Sequence, residues 1–525
     1  MANHVAHIIG RHAGPPQRVQ RMVQRRTQIG RGIDKRTVQI KDNSSRKLAH
    51  PCPMRRQRFQ RQARYGRAGA VNIQPSPANR PLAAIILAAG QGTRMRSSLH
   101  KVLHSIAGKP MLLHLLDSLA EFSVERIVVV VGAGREQVEA AVAGRNISIA
   151  IQTEQLGTGH AVAQAEPALA GFDGDIIILF GDAPLVSAAT MARLRDALSP
   201  GVVAAVLGFR PEDAGAYGRI IADSGTISKM VEYKDASPAE RAVDLCNSGL
   251  LAIHARDLWP LLARIDSNNA AGEYYLPDVI GLIIADGGIA RVIETGADEV
   301  AGVNSRGELA RVEAGWQARR RAAAMADGVT LVDPDSVFFA HDTQIERDVT
   351  IEPFVVFGPG VSIASGATIH AHSHITGAVI GPDCDIGPFA RLRPGTILAK
   401  GARIGNFVET KNAVFDIGAK ANHLSYIGDA SVGARANIGA GTITCNYDGF
   451  FKYRTTIGEG AFIGSNSALV APVTIGNGAI VAAGSTITAD VEADALALVR
   501  PPQQAKPGWA ARFRGMMQAR KQAQH

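Results

Sequence analysis

The turn Leu87-Ala88-Ala89-Gly90-Gln91-Gly92-Thr93-Arg94-Met95, with Lys101 shortly after it, joins small residues to two cations at the end of an apolar run. Small side chains let a backbone approach a ligand, and amides at the start of a helix can hold phosphate oxygens. Arg94 and Lys101 would supply charge for a triphosphate. A lone G-x-G can also be no more than a tight strand-to-helix turn. The segment lacks the G-K-[ST] of a P-loop and the third glycine of a dinucleotide fingerprint. A second polar concentration lies far downstream. His423 is flanked by Gly405-Asn406-Phe407-Val408-Glu409-Thr410-Lys411, by Leu424-Ser425-Tyr426 and by a block from Asn437 to Gly449. A single histidine in a repeat is more often a satisfied surface or core residue, but here Lys, Tyr and Asn stand where a repeat would tolerate bland residues.

Two kinds of element must carry these residues. Ile457, Ile463, Leu469, Ile475, Val481 and Ile487 recur every six residues. That period is neither helical nor that of an ordinary strand, and it predicts a left-handed parallel β-helix with the aliphatic pointing inward. Gly458, Gly464 and Gly476 follow it, and we expect them to give permissive backbone at crowded corners. The rhythm recurs at Ile363, Ile369 and Ile375, at Ile380, Ile386 and Leu392, and at Val432 and Ile438. Two stacked sheets of short strands, the blander alternative, do not require strict six-fold phase. Residues 446–454 interrupt the hexads and are expected to loop out. Upstream, apolar strands are predicted at 82–89, 126–131, 175–180 and 202–208, with helical patterning over 102–119. Strands alternating with helices imply a Rossmann-like α/β domain with a mostly parallel sheet. Residues 306–327 read as one helix stopped by Gly328, a rigid spacer. The expected divisions are a leader at 1–80, an α/β domain at 81–305, a linker helix at 306–328, and a β-helix with a polar tail at 329–525.

The chain has 525 residues and a net charge of +9. Residues 1–80 hold 18 Lys or Arg against Asp34 and Asp42, a surplus of +16 that leaves the other 445 residues at −7. The leader lacks apolar periodicity and is expected to be disordered. A basic tail can bind nucleic acid or anionic membrane, but a translated stretch upstream of a true start near Val71 is the preferred reading. No apolar run reaches the length of a membrane span, and no signal peptide is apparent. Cys52, Cys246, Cys384 and Cys445 are scattered without metal spacing, which points to a reducing, cytoplasmic setting.

The first turn resembles the signature of the sugar-nucleotide pyrophosphorylase family. The likeness extends to Gln155-Leu156-Gly157-Thr158-Gly159-His160, to Phe180-Gly181-Asp182 and to Tyr217-Gly218-Arg219. It continues through Val231-Glu232, Asn247-Ser248-Gly249, Gly272-Glu273-Tyr274-Tyr275 and Val303-Asn304. With the His423 blocks, residues 82–510 resemble the bifunctional family in which an N-acetylglucosamine-1-phosphate uridylyltransferase is fused to a glucosamine-1-phosphate N-acetyltransferase. The resemblance implies a cytoplasmic enzyme that makes UDP-N-acetylglucosamine, a precursor for peptidoglycan and lipopolysaccharide. It implies Asp182 and Asn304 as Mg²⁺ ligands, although a strand-end Asp taken alone more often caps a helix. Leu87, Ala88, Ala89, Gly90, Arg94, Lys101, Gln152, Gly157, Thr158, Phe180 and Gly181 would bind UTP, with Gly218, Glu232 and Asn247 on the sugar. In the β-helix, His423 would be the general base, suited by an imidazole pKa near working pH. Arg393, Lys411, Tyr426 and Asn437 would hold glucosamine 1-phosphate. Acetyl-CoA would meet Ala440, Asn446, Tyr447, Lys452, Ser465, Ala483 and Arg500. N-acetylglucosamine 1-phosphate would link the two steps, and the family implies a homotrimer without nucleic-acid or membrane partners. Gln91, His100 and Phe180 depart from common Lys, Pro and Tyr. Two rivals are a single-activity nucleotidyltransferase whose solenoid only oligomerises or binds an effector, and a nucleic-acid binder working through the leader.

Overall fold

The computed structural model describes residues 80–524. The expected leader, apart from Arg80, and the expected start near Val71 therefore lie outside the described residues.

A nine-stranded sheet forms the first half. From edge to edge its strands are Ser148–Ile151, Arg126–Val131, Leu82–Ala88, Asp175–Phe180, Cys246–His254, Val202–Phe209, Ile289–Thr295, Thr226–Val231 and Arg219–Asp223. Seven run one way. Cys246–His254 and Thr226–Val231 run against them. The strand Leu82–Ala88, third from one edge, is buried along its whole length, and its alternate residues feed apolar clusters on the two faces of the sheet. Such a strand needs no polar face, which is why it reads as a continuous apolar run.

The helical pattern expected over 102–119 is broken in the structure. A 3₁₀ turn at Lys101–Leu103 leads into the hairpin Ser105–Ile106/Lys109–Pro110, and the helix begins only at Met111 and ends at Ala120. Ala107 and Gly108 both adopt positive φ, 50° and 78°, so the chain reverses before the helix can start.

The second half is a β-helix of very short parallel strands. Ile351, Ile369, Ile386, Ile404, Ala421, Ile438, Ile463 and Val481 stack in register down one wall. Successive members are three hexads apart or one residue fewer, except that the step from Ile438 to Ile463 is longer. That excess is the loop 446–454, which leaves Phe450 and Phe451 exposed. The six hexad aliphatics from Ile457 to Ile487 are all buried, none more than 3% exposed. Each is worth about 1.5–3 kcal/mol when fully removed from water. The reason expected for the following glycines needs correcting. Gly458, Gly464 and Gly476 do not have positive φ. A Cβ on Gly464 would instead lie 2.4 Å from the backbone nitrogen of Ala483 in the next coil, and one on Gly476 equally close to Ala493. Close stacking of backbone on backbone selects glycine there, not a left-handed turn.

The linker helix Arg306–Ala326 is capped by Ser305 and followed by Gly328 with φ 91°. It packs on both halves. Glu313 accepts a hydrogen bond from the Ala107 amide at 2.7 Å. The buried Gln317 makes two bonds to the Phe339 backbone, at 2.7 and 2.9 Å. Its buried residues are Val312, Gln317 and Ala324, while Ala314 and Ala323 are exposed. Beyond Arg500 the polar tail ends in a helix, Trp509–Gln522, with no residue buried in the single chain.

Candidate active sites

The strand ends Leu87-Ala88 and Phe180 open into a cavity of about 330 Å³. Its walls include Ala89, Gly90, Lys101, Gln152, Gly157, Thr158, Asp182 and Asn304. At its floor the Lys101 ammonium lies 2.5 Å from Asp182 Oδ2 and 3.1 Å from Asn304 Oδ1. Two hard oxygens thus converge on one positive charge. Asn304 is held at this point, at the far end of the domain, by its backbone N–H, which donates to the Glu308 carboxylate at 2.7 Å, inside the first turn of the linker helix. Among the described residues no group of three or more His, Cys, Asp or Glu side chains could hold a metal. A two-oxygen donor set fits Mg²⁺, which commonly takes one or two protein ligands and completes its shell with substrate phosphates and water. Gln152 is buried, with its amide donating to the Gly157 carbonyl at 3.1 Å. Gly157 has φ 112°, and a Cβ there would lie 2.5 Å from the Tyr274 carbonyl oxygen, so left-handed backbone and close packing on that segment both select glycine. Gly181 is buried behind the wall, and Arg94 is exposed and lines neither cavity.

A second cavity of about 250 Å³ shares Thr158 and Phe180 with the first and is lined by Gly218, Glu232 and Asn247. Burial, reinforced by the carboxylates of Asp278 and Asp235, pushes the Glu232 carboxyl above its usual range. Phe180 packs against Gly249, where a Cβ would come within 2.6 Å of the ring.

In the β-helix, His423 is exposed and its Nδ1 lies 2.7 Å from Asn406 Oδ1, one coil before it. With Nδ1–H donating to that oxygen, the lone pair of a neutral ring is on Nε2. Arg393 pairs with Glu409 at 2.8 Å. Lys411 stands beside Lys452, whose ammonium holds its pKa below the usual lysine value. Facing them is Asp429. Burial works against its charge, but amide donors from Asn412 and Asn446, with Lys411 and Lys452 nearby, keep its carboxyl below the ordinary range. Lys452, expected with coenzyme A, is thus placed beside a residue expected on the sugar phosphate. Tyr426 adjoins Glu409 and Ile443 in register, and Asn437 pairs with Lys420 and Phe462. Ala440, Ser465 and Ala483 follow one another on successive coils. The Ala440 carbonyl accepts from Asn466, the Ser465 carbonyl accepts from Gly484, and Arg500 donates to the Ala483 carbonyl. Asn446 is buried on Asp429, whereas Tyr447 is exposed and bonds Gly449.

Several residues at these sites were named only as members of a motif, or, for Asp429, not at all. Glu273 and Gln155 line the nucleotide cavity. Asn406, Glu409 and Asp429 orient or neutralise the groups around His423 and Lys411. A signal for the last group exists in the seven-residue strands Glu409–Phe415 and Tyr426–Val432, far longer than their neighbours. They carry turns of positive φ at Asn412 and Asp429 inside the run.

Residues 84–274 match the MobA-like NTP transferase domain, and residues 342–377 and 454–489 match the bacterial transferase hexapeptide (six repeats). The chain is 61% identical over 450 residues to the "Bifunctional protein GlmU" of Sphingopyxis alaskensis, covering 85% of this chain and 99% of that one. To the protein of the same name from Rhizorhabdus wittichii it is 64% identical over 448 residues, again 85% and 99%. The corresponding Zymomonas mobilis protein is 57% identical over 444 residues, 83% and 98%.

Proposed function

The chain belongs to the family of the bifunctional protein GlmU, and from that premise we propose that it makes UDP-N-acetylglucosamine in two steps at two separate sites. The observation that carries the uridylyltransferase reading is the meeting of Lys101, Asp182 and Asn304 at the floor of the nucleotide cavity. Residues 81–305 would perform this step and residues 329–525 the acetyl transfer.

Acetyl transfer comes first. His423 Nε2 takes a proton from the ammonium of glucosamine 1-phosphate while Asn406 holds the ring from the other nitrogen. The freed amine attacks the thioester carbon of acetyl-CoA, an amide bond forms, and the carbon–sulfur bond breaks to release coenzyme A. Arg393 and Lys411, with Lys452 beside it, offer cations for the sugar phosphate. Tyr426 and Asn437 would position the sugar. Acetyl-CoA would run along Ala440, Ser465 and Ala483 towards Arg500, with Asn446 and Tyr447 near the loop.

In the second step a phosphate oxygen of N-acetylglucosamine 1-phosphate attacks the α-phosphorus of UTP, and pyrophosphate leaves. Asp182 and Asn304 would hold Mg²⁺, which supplies charge that offsets repulsion between the two anions. Lys101 would move onto the triphosphate. Gln152, Gly157 and Thr158 would read the base, and Gly218, Glu232 and Asn247 would hold the acetylated sugar.

A homotrimer is part of the same proposal. Phe354, His372, Phe389 and Phe407 stack along one corner of the coil with centroids 4.8–5.2 Å apart. Phe354, Phe389, Phe407 and Leu424 remain about half exposed. A continuous apolar strip of this kind supports burial against another copy. None of the described helices is long and apolar enough to cross a membrane; we place the enzyme in the cytoplasm, with its substrates. The test supplies glucosamine 1-phosphate, acetyl-CoA, UTP and Mg²⁺ to the purified chain. UDP-N-acetylglucosamine should form, dependent on all four. Product from N-acetylglucosamine 1-phosphate but none from glucosamine 1-phosphate would reduce the protein to a single-activity nucleotidyltransferase.

A further inference from the structure

Gln137 lies on the helix Arg135–Val142, exposed and outside both cavities. Its amide is nevertheless used at both ends. Oε1 accepts from the backbone amide of His100 at 2.9 Å, and Nε2 donates to the carbonyl of Ser98 at 3.0 Å. These bonds straddle Leu99 and stop one residue short of Lys101. The segment they grip follows Arg96, whose φ is 48°, and has no regular structure until the 3₁₀ turn Lys101–Leu103.

His100 has φ −57° and ψ 140°, values that a proline would adopt unaided. A proline would stiffen the backbone there without any partner. With histidine the backbone is free to swing, but its N–H becomes available as a donor, and Gln137 receives it. The His100 ring adds no polar anchor of its own. It is 6% exposed, and neither ring nitrogen has a hydrogen-bond partner.

We infer that Gln137 is a positioning residue for uridylyl transfer, clamping Ser98 and His100 so that the Lys101 ammonium is held at the phosphate end of the nucleotide cavity. This rests on the uridylyltransferase reading above. Small displacements of a charged group at a reacting centre are costly, up to about 10²-fold per ångström, and a clamp two residues long controls displacement of that order.

The experiment compares wild type, Gln137→Leu, His100→Pro and the double variant in the full chain, with UTP varied at saturating N-acetylglucosamine 1-phosphate. Gln137→Leu keeps the bulk and removes both bonds. It should lower kcat/KM for UTP about tenfold, mostly through KM. Acetyl transfer and melting temperature should stay at the wild-type values. Adding His100→Pro should restore kcat/KM to within about twofold of wild type, since the ring supplies the restraint without the donor. His100→Pro alone should stay near wild type. An unimpaired Gln137→Leu enzyme overturns the clamp, and so does a loss that proline fails to repair. Parallel loss of both activities would mark a folding defect and also count against it. A wild-type chain that cannot use UTP at all would instead bring down the uridylyltransferase reading, and the clamp with it.

Discussion

His423 and Asn406 come from equivalent positions on neighbouring coils, in contact at 2.7 Å, and in the proposed mechanism Nδ1–H donates to Asn406 so that Nε2 takes the proton. Removing the ring should therefore cost the chemistry and little else. His423→Ala is expected to lower acetyl transfer by roughly 10²–10⁴-fold, the usual worth of a general base. Uridylyl transfer from supplied N-acetylglucosamine 1-phosphate should persist, and near-normal acetylation by the variant at neutral pH would remove His423 from the mechanism. The opposite separation is expected at the other site. Asp182 and Asn304 both touch Lys101, so Asp182→Asn or Asn304→Ala disturbs the place where charge must be balanced. Uridylyl transfer should fall by about 10²-fold or more, as several kcal/mol of charge stabilisation are lost. Acetyl transfer by the same preparations should be unchanged. Equal loss of both activities in a folded variant would contradict the assignment of these residues to one site.

At the scale of the element, the coil is held by apolar stacking inside and by scattered polar ties outside. One tie is titratable. His370 lies between Glu352 at 3.0 Å and Asp385 at 2.9 Å, on the coils before and after it. Burial disfavours the charged ring, but the Glu352 and Asp385 carboxylates outweigh it and raise the pKa above its ordinary 6.5. The bridge should thus stabilise the coil fully below about pH 6.5 and fade as pH rises through the higher folded-state value. Thermal melting of wild type and His370→Gln across that window is the check. The wild-type advantage should be largest on the acid side and should shrink on the alkaline side; an advantage that grows with pH would show that the bridge is not formed.

For the whole molecule, the linker helix does two jobs. Its first turn holds the amide of Asn304 through Glu308, and its later turns lock Gln317 onto the first coil at Phe339. The two halves are joined firmly, yet each site draws its residues from its own half. Every residue assigned to either site lies between Leu87 and Arg500. A chain beginning near Val71 should accordingly retain both activities, the melting temperature and the oligomeric mass of the full-length form. A truncated protein that is inactive, or whose mass in solution differs, would show that the basic leader contributes to the enzyme.

Much of this was legible in the residues because the signals are local. A six-residue aliphatic period has one economical fold, and each predicted member is buried. The apolar strands 126–131 and 175–180 end where hydrophobicity ends. The bifunctional resemblance rests on short motifs in order along the chain. Other features depend on contacts between residues far apart in sequence. The helix expected from residue 102 starts at Met111, because the hairpin at Ala107 docks on the linker helix and β-helix through Glu313 and His341, more than 200 residues away. The glycines after the hexad aliphatics owe their identity to the next coil, not to their own dihedrals. Lys452 meets Lys411 only because the loop 446–454 folds back on the coil, and Asn406 meets His423 only because one turn stacks on the last. Periodicity determines what each segment must bury. Which polar groups then face one another is decided by how the segments stack, since hydrogen bonds and charges act over a few ångströms in space whatever the distance along the chain.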